Sequence, residues 1–154
     1  MKLNVLQSGI ADDVVMGKDV TIVMPVNLYG CTLGDGCKIG PFTEITRGVT
    51  IGHRTKIQSH SFICEKVTIG NDCFIGHGVM FINDVFRTGK PAGGDKSKWV
   101  PTLIADRVTI GSNATILPVS ICSDVVIGAG AVVTKDITVP GIYAGNPATF
   151  LRGL

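Results

Sequence analysis

The sequence predicts an all-β solenoid wound in triangular laps of eighteen residues. Three observations predict it. An aliphatic residue or Phe recurs every six positions at Leu33, Ile39, Ile45, Ile51, Ile57, Ile63, Ile69, Ile75 and Phe81. Four positions after each stands a small or β-branched residue: Cys37, Thr43, Val49, Thr55, Ser61, Val67, Cys73, Val79 and Val85. Glycine follows the aliphatic residue at Gly34, Gly40, Gly52, Gly70, Gly76, Gly111 and Gly128. A fixed short period means one small unit stacked on itself. Three hexads close a triangle of short strands with the aliphatic residues inward. The glycines suit corners that need positive φ.

The elements follow in order. The register begins at Ile10, Met16, Ile22 and Leu28, then takes a five-residue step to Leu33. Nine regular hexads run from there. The period is then lost over 86–103, a stretch holding Pro91, Gly93, Gly94 and Pro101 with the cations Arg87, Lys90, Lys96 and Lys98. A long loop extruded between regular laps is usually functional. The period resumes at Ile104, Ile110 and Ile116, steps by five to Ile121, and reaches Ile127 and Val133. The tail 141–154 lies outside it, and Phe150, Leu151 and Leu154 are expected to cap the last lap. Stacked laps lie about 4.8 Å apart, so residues n and n+18 are neighbours.

Composition narrows the function. The chain has 154 residues, enough for a single domain, with 45% hydrophobic and 17% charged residues. Its net charge of +2 gives no footprint for nucleic acid. No apolar run approaches the ~20 residues that span a membrane. Residues 1–10 carry no signal-peptide pattern, so a cytoplasmic location is expected. Five cysteines without a CxxC spacing read as small packing groups rather than as disulfides or metal ligands.

At this point the sequence resembles the hexapeptide-repeat acyltransferases. Ile127-Gly-Ala-Gly-Ala-Val-Val-Thr-Lys135-Asp136 and Ala144-Gly-Asn-Pro147-Ala resemble the closing motif of the acetyl-CoA-dependent members. A narrower resemblance, to the sugar-nucleotide N-acetyltransferases, rests on three strings. They are Asn27-Leu-Tyr29-Gly-Cys31, His60-Ser-Phe-Ile-Cys-Glu65 and Phe74-Ile-Gly-His77-Gly-Val-Met-Phe-Ile-Asn83-Asp84. The resemblance implies a left-handed parallel β-helix, against the general preference for right-handed crossovers. It implies acetyl-CoA as co-substrate with no metal, and the amine of a UDP- or dTDP-linked amino sugar as acceptor, for surface polysaccharides. It also implies a homotrimer with sites between subunits. Two departures stand out. The Pro-Arg that commonly follows Asn-Asp is replaced by Val85-Phe86-Arg87, and Ile116-Leu-Pro-Val119 lacks a Gly.

Stacking arithmetic gathers Arg47, Glu65 and Asn83 into one column with Asp84 beside it. His60 stacks under Gly78, next to His77, while His53 lies over Asn71. The catalytic candidates are therefore Asn83, Asp84 and His77, since acyl transfer needs a positioned amine and a proton acceptor. Glu65, Arg47, His60, Tyr29 and Arg87 are the candidates for the sugar nucleotide. Gly111 and Gly128 offer close backbone approach to a pantetheine arm, and the resemblance suggests Lys135 and Arg152 for coenzyme A phosphates. Two proton routes stay open: an imidazole takes the proton, or the leaving sulfur does. Other readings stay open too. They are an O-acetyltransferase acting on a hydroxyl, a noncatalytic scaffold, and a zinc hydrolyase that needs three converging His. An Arg47–Glu65 ion pair and a corner role for Asn83 are the structural alternatives.

Overall fold

The computed structural model describes residues 7–154. Eighteen short strands make six laps of three. The first three laps hold β1 (Val15–Met16), β2 (Thr21–Ile22), β3 (Asn27–Leu28), β4 (Thr32–Leu33), β5 (Lys38–Ile39), β6 (Glu44–Ile45), β7 (Thr50–Ile51), β8 (Lys56–Ile57) and β9 (Phe62–Ile63). The next three hold β10 (Val67–Ile69), β11 (Phe74–Ile75), β12 (Met80–Phe81), β13 (Thr102–Ile104), β14 (Thr109–Ile110), β15 (Thr115–Ile116), β16 (Ser120–Ile121), β17 (Val125–Ile127) and β18 (Val132–Val133). Every third strand pairs in parallel, giving a first face from β1 to β16, a second from β2 to β17 and a third from β3 to β18. The winding is that of a left-handed β-helix.

The lap is eighteen residues in the middle of the chain: Thr32 pairs with Thr50, Lys56 with Phe74 and Phe62 with Met80. It shortens to seventeen where the sequence steps by five, as in Asn27 with Glu44 and Thr115 with Val132. Met80 pairs with Thr115 across the excursion. The aliphatic column from Leu28 to Val133 is fully buried and forms one continuous core. Each buried Ile contributes roughly 1.5–3 kcal/mol over an exposed one.

The small-residue slot has a polar task. Cys37 Sγ donates to the Gly52 carbonyl at 3.0 Å, Thr43 Oγ1 to Gln58 at 3.2 Å, Thr55 Oγ1 to Gly70 at 2.8 Å and Ser61 Oγ to Gly76 at 2.9 Å. Each bond reaches fifteen residues ahead and ties one lap to the next. A buried corner carbonyl would otherwise go unpaired. Burial pushes the Cys64 thiol up to about 12 and the Cys31 thiol up to about 11. Both are packing groups, as the spacing implied.

Three expectations need correction. The glycines after the aliphatic residues do not supply positive φ. The left-handed conformation falls two residues later, at Phe42, Arg54, Asp72 and Asn113 and at the second glycines Gly36, Gly78 and Gly130. The glycines are needed because the next lap runs against them: a Cβ on Gly52 would lie 2.5 Å from the Gly70 carbonyl carbon. Second, Val85 is outside the core and Leu103 is inside a strand. The chain leaves the solenoid after β12, and the Val100 amide closes the excursion on the Asn83 carbonyl at 2.9 Å. Thr102 takes the inward slot instead. Third, the tail forms β19 (Gly141–Ala144), parallel to β17, and β20 (Thr149–Arg152), antiparallel to β19. Phe150, Leu151 and Leu154 stay exposed rather than covering the core.

Candidate functional site

The corner between the third and first faces is built differently from the other two. At the position where the other corners use Gly34, Gly52, Gly76 or Gly111, this one carries Tyr29, Thr46, Cys64, Ile82 and Leu117. A cleft of about 240 Å³ lies beside this corner. Tyr29, Glu44, Arg47, Glu65, Asn83 and Trp99 line it. The column of Arg47, Glu65 and Asn83 read from the spacing therefore exists as one wall. The excursion also leaves the solenoid here, directly after Asn83.

The polar groups of the cleft are held in a definite order. Asn83 Nδ2 donates to the Glu65 carbonyl at 3.0 Å, which leaves its Oδ1 as an acceptor. The Glu65 carboxylate, only 22% exposed, accepts both bonds from the Lys96 ammonium, at 2.8 and 3.1 Å. Lys66 Nζ donates to the carbonyls of Lys96 and Trp99, at 2.7 and 2.9 Å, and so pins the returning limb of the excursion over the cleft. Tyr29 OH donates to Glu44 Oε1 at a long 3.5 Å. Burial, then the Glu44 charge, pushes this phenol up, so it stays a donor. Arg47 pairs with Asp13 at 3.2 Å and not with Glu65.

Asp84 is turned away from the wall. Its Oδ1 accepts from the Phe86 amide at 3.0 Å and its Oδ2 from the Ala92 amide at 2.7 Å. Both oxygens accept from backbone amides within the excursion. Arg87 is exposed in the same excursion.

The imidazoles stand elsewhere. His60 and His77 occupy the corner between the second and third faces, one strand away from Asn83. Six residues separate His77 from Asn83, at most about 20 Å, with the strand β12 between them. His77 Nδ1 is bonded to Ser59 Oγ at 2.8 Å, and His60 stacks on Phe42 with centroids 4.8 Å apart. A groove combining the carboxylates and the imidazoles of one chain therefore does not form. His53 lies in the third corner, where its Nδ1 accepts from the Asp35 amide at 3.0 Å and Asn71 Oδ1 caps its own amide. The three His do not converge. Among the described residues no three His, Cys, Asp or Glu are placed to hold a metal.

Gly111 and Gly128 are spoken for by the fold. A Cβ on Gly111 would meet Ala129 N at 2.5 Å, and one on Gly128 would meet Ala144 Cβ at 2.8 Å. Their bare Cα atoms admit the next lap. Lys135 is exposed and, by the pairing of Phe81 with Ile116 and of Ile116 with Val133, stands two laps beyond Asn83 on the same corner. That is roughly 10 Å along the edge. Arg152 lies on β20, with Nη1 donating to the Gly153 carbonyl.

Sequence reasoning missed Trp99, Glu44 and the loop's grip on Glu65. A usable signal was present. The open corner is the one at which no described lap follows its aliphatic residue with Gly, and that absence marks it.

Two family models match the chain. One, described as a bacterial transferase hexapeptide of six repeats, covers 30–65, and the other, the hexapeptide repeat of succinyl-transferase, covers 66–80 and 101–135. Together they span more than half of the sequence. This protein belongs to the hexapeptide-repeat family of bacterial transferases. Within the family, the bifunctional protein GlmU of Thermodesulfovibrio yellowstonii is 38% identical over 106 residues, 68% of this chain and 21% of that protein. The chain thus spans about a fifth of the curated relatives it matches. A hexapeptide-repeat acetyltransferase of Vibrio cholerae, solved with acetyl coenzyme A, superposes with a TM-score of 0.70 at 25% identity. That match covers 82% of this chain and 72% of the other. The N-acyltransferase AntD of Bacillus cereus, solved with dTDP and coenzyme A, has the same fold: TM-score 0.80, 21% identity, 90% and 83% covered. Among the described residues no helix is long and apolar enough to cross a membrane.

Proposed function

We propose that this protein is an N-acetyltransferase that moves the acetyl group of acetyl-CoA to the amine of a nucleotide-linked amino sugar, in the cytoplasm, for surface polysaccharide synthesis. One observation carries the reading. In the free protein the half-buried Glu65 already holds a primary ammonium, that of Lys96, within the cleft that Asn83 and Arg47 line. A cleft with two carboxylates, Glu44 and Glu65, favours a cationic acceptor over a neutral hydroxyl. Its volume of about 240 Å³ lies below the usual range for whole drug-sized ligands. It suits one sugar ring, with the nucleotide outside along the excursion.

The chemistry then divides among the residues of this corner. The acceptor ammonium gives one proton to solvent, the lone pair of the neutral amine attacks the thioester carbonyl, and the nitrogen's second proton passes to the leaving sulfur. The C–N bond forms, the C–S bond breaks, and coenzyme A leaves as thiolate and takes that proton. Asn83 Oδ1, fixed by the bond from Nδ2 to the Glu65 carbonyl, accepts an N–H of the amine and aims the lone pair. Holding an amine in line in this way replaces a bimolecular encounter. Arg47 is a donor for the sugar or its phosphate. Lys135, two laps along the same edge, is a mobile cation for coenzyme A phosphates; Arg152 has the same charge but a place outside the solenoid. The separation of His77 from Asn83 within one chain favours proton uptake by the leaving sulfur. A homotrimer in which a neighbouring subunit closes the cleft fits its open side and the closed symmetry common among such assemblies.

The test is a screen of UDP- and dTDP-linked 3-amino and 4-amino sugars with acetyl-CoA, read as thiol release. Turnover on at least one amine and none on the matching hydroxyl sugars is the expected result. Turnover on hydroxyl sugars alone would replace the reading with O-acetyl transfer. Coenzyme A binding without any turnover would leave a scaffold.

A further inference from the structure

We propose that Lys96 sets acceptor specificity as an exchangeable occupant of the ammonium site: an incoming amino sugar takes its place on Glu65, and a neutral sugar cannot. This rests on the reading of the cleft given above. Four features of the geometry support it.

Glu65 is the less exposed partner, at 22%, and both of its oxygens are satisfied by Lys96. Removing Lys96 without a replacement would leave a poorly solvated carboxylate unpaired, which is costly. Only another cation offsets that cost. A ligand with a hydroxyl in the same position meets the plug and has nothing to exchange for it. The site thus rejects hydroxyl acceptors by what they must displace as well as by what they fail to bind.

Lys96 is free to move without unfolding the limb that carries it. Its side chain is 54% exposed. The backbone of the limb is held independently, by Lys66 Nζ on the carbonyls of Lys96 and Trp99 and by Asp95, whose side chain accepts from the Ser97 amide at 3.1 Å. The Lys96–Glu65 pair is therefore not what fastens the excursion. Trp99 lies beside the exchange, its ring centroid 5.8 Å from Lys96 Nζ, and it also lines the cleft. It offers the displaced ammonium a π face and the bound sugar an apolar one.

Trp99 is the only tryptophan of the chain, so the exchange is observable without turnover. D-glucosamine titrated into the full-length protein, with no acetyl-CoA present, should change Trp99 emission saturably, and N-acetylglucosamine should not. Calorimetry supplies Kd for variants in which the emission change is lost. Lys96→Gln should lower Kd for glucosamine by about three-fold, the size of a partly exposed ion pair, and lower KM for the amino-sugar acceptor by a similar factor with kcat little changed. Lys96→Arg should stay near the wild-type Kd, because it keeps the competing charge. Glu65→Gln should abolish the glucosamine response. An unchanged or raised Kd in Lys96→Gln overturns the proposal, since a residue that merely braces the loop or contacts the substrate would not tighten binding when removed. The two failures are distinguishable. Turnover on amines with unchanged Lys96→Gln binding removes the plug and keeps the enzyme; amine-selective emission with no turnover removes the enzyme and keeps the plug.

Discussion

The two corners that flank the third face run on the same hexad but are built for different ends. At the corner of His60 and His77, Gly76 and Gly111 let consecutive laps touch backbone to backbone. There His77 Nδ1 is bonded to Ser59 Oγ and the His60 ring stacks on Phe42. At the corner of Glu65 and Asn83, the equivalent positions carry Thr46, Cys64 and Ile82, and the chain makes its long excursion there. A solenoid is a repeat, so a site must come from a departure from the repeat. Here the departure is a corner at which no described lap carries the glycine.

The comparison can be broken most severely through activity. Asn83→Ala should lower turnover by about 10²–10³-fold, the scale for losing one preorganised polar contact to the reacting group. His77→Asn, which keeps a partner for Ser59, should stay within about ten-fold. Steady-state kinetics on the same acceptor reads both. A loss of ~10²-fold or more in His77→Asn would assign proton uptake to an imidazole delivered across a subunit boundary.

Stability sharpens the contrast next. A Cβ on Gly76 would lie 2.7 Å from the Ser112 amide nitrogen, so Gly76→Ala should cost about 2–3 kcal/mol. Thr46 occupies the equivalent position at the open corner, and its Oγ1 has no hydrogen-bond partner among the described residues. Thr46→Val should cost under ~1 kcal/mol, because no bond is lost. Urea denaturation of the two variants measures the difference.

The smallest effect belongs to the remaining corner, which neither binds nor gapes. There Arg54 and Arg107 form bidentate pairs with Asp72 and Asp124. The hydrogen bond from Arg54 holds the Asp72 carboxyl below the usual carboxylate value, and that from Arg107 does the same for Asp124. A carboxyl lowered on folding stabilises at pH above its unfolded value of about 3.9 and loses that contribution as pH falls through the lower folded value. Asp72→Asn should therefore lower Tm slightly at neutral pH and leave it unchanged at pH below the folded value of the carboxyl, the effect being small because both groups are exposed.

Much of this was legible before the coordinates. Spacing alone put Arg47, Glu65 and Asn83 on one wall, because pairing at n+18 is a property of the backbone period and not of the side chains. It also put His53 against Asn71. The period also separates the imidazoles from Asn83, since a step of six moves one face on and only a step of eighteen returns to the same corner; grouping them overlooked that step. Glycine was credited with a left-handed turn when its task is close approach, and Arg54, Lys66 and Asp72 take the left-handed turn themselves. Trp99 and the grip of Lys96 on Glu65 were beyond reach, since an aperiodic excursion carries no register to say where it lands.

The central claim is that the acceptor amine lies at the corner of Glu65 and Asn83. A crystal structure with coenzyme A and the nucleotide-linked amino sugar found by the screen tests it directly. The account predicts the amine nitrogen within about 3.2 Å of Asn83 Oδ1, with Lys96 displaced from Glu65. An amine seated beside His60 and His77 of the same chain, with the Lys96–Glu65 pair intact, would contradict it.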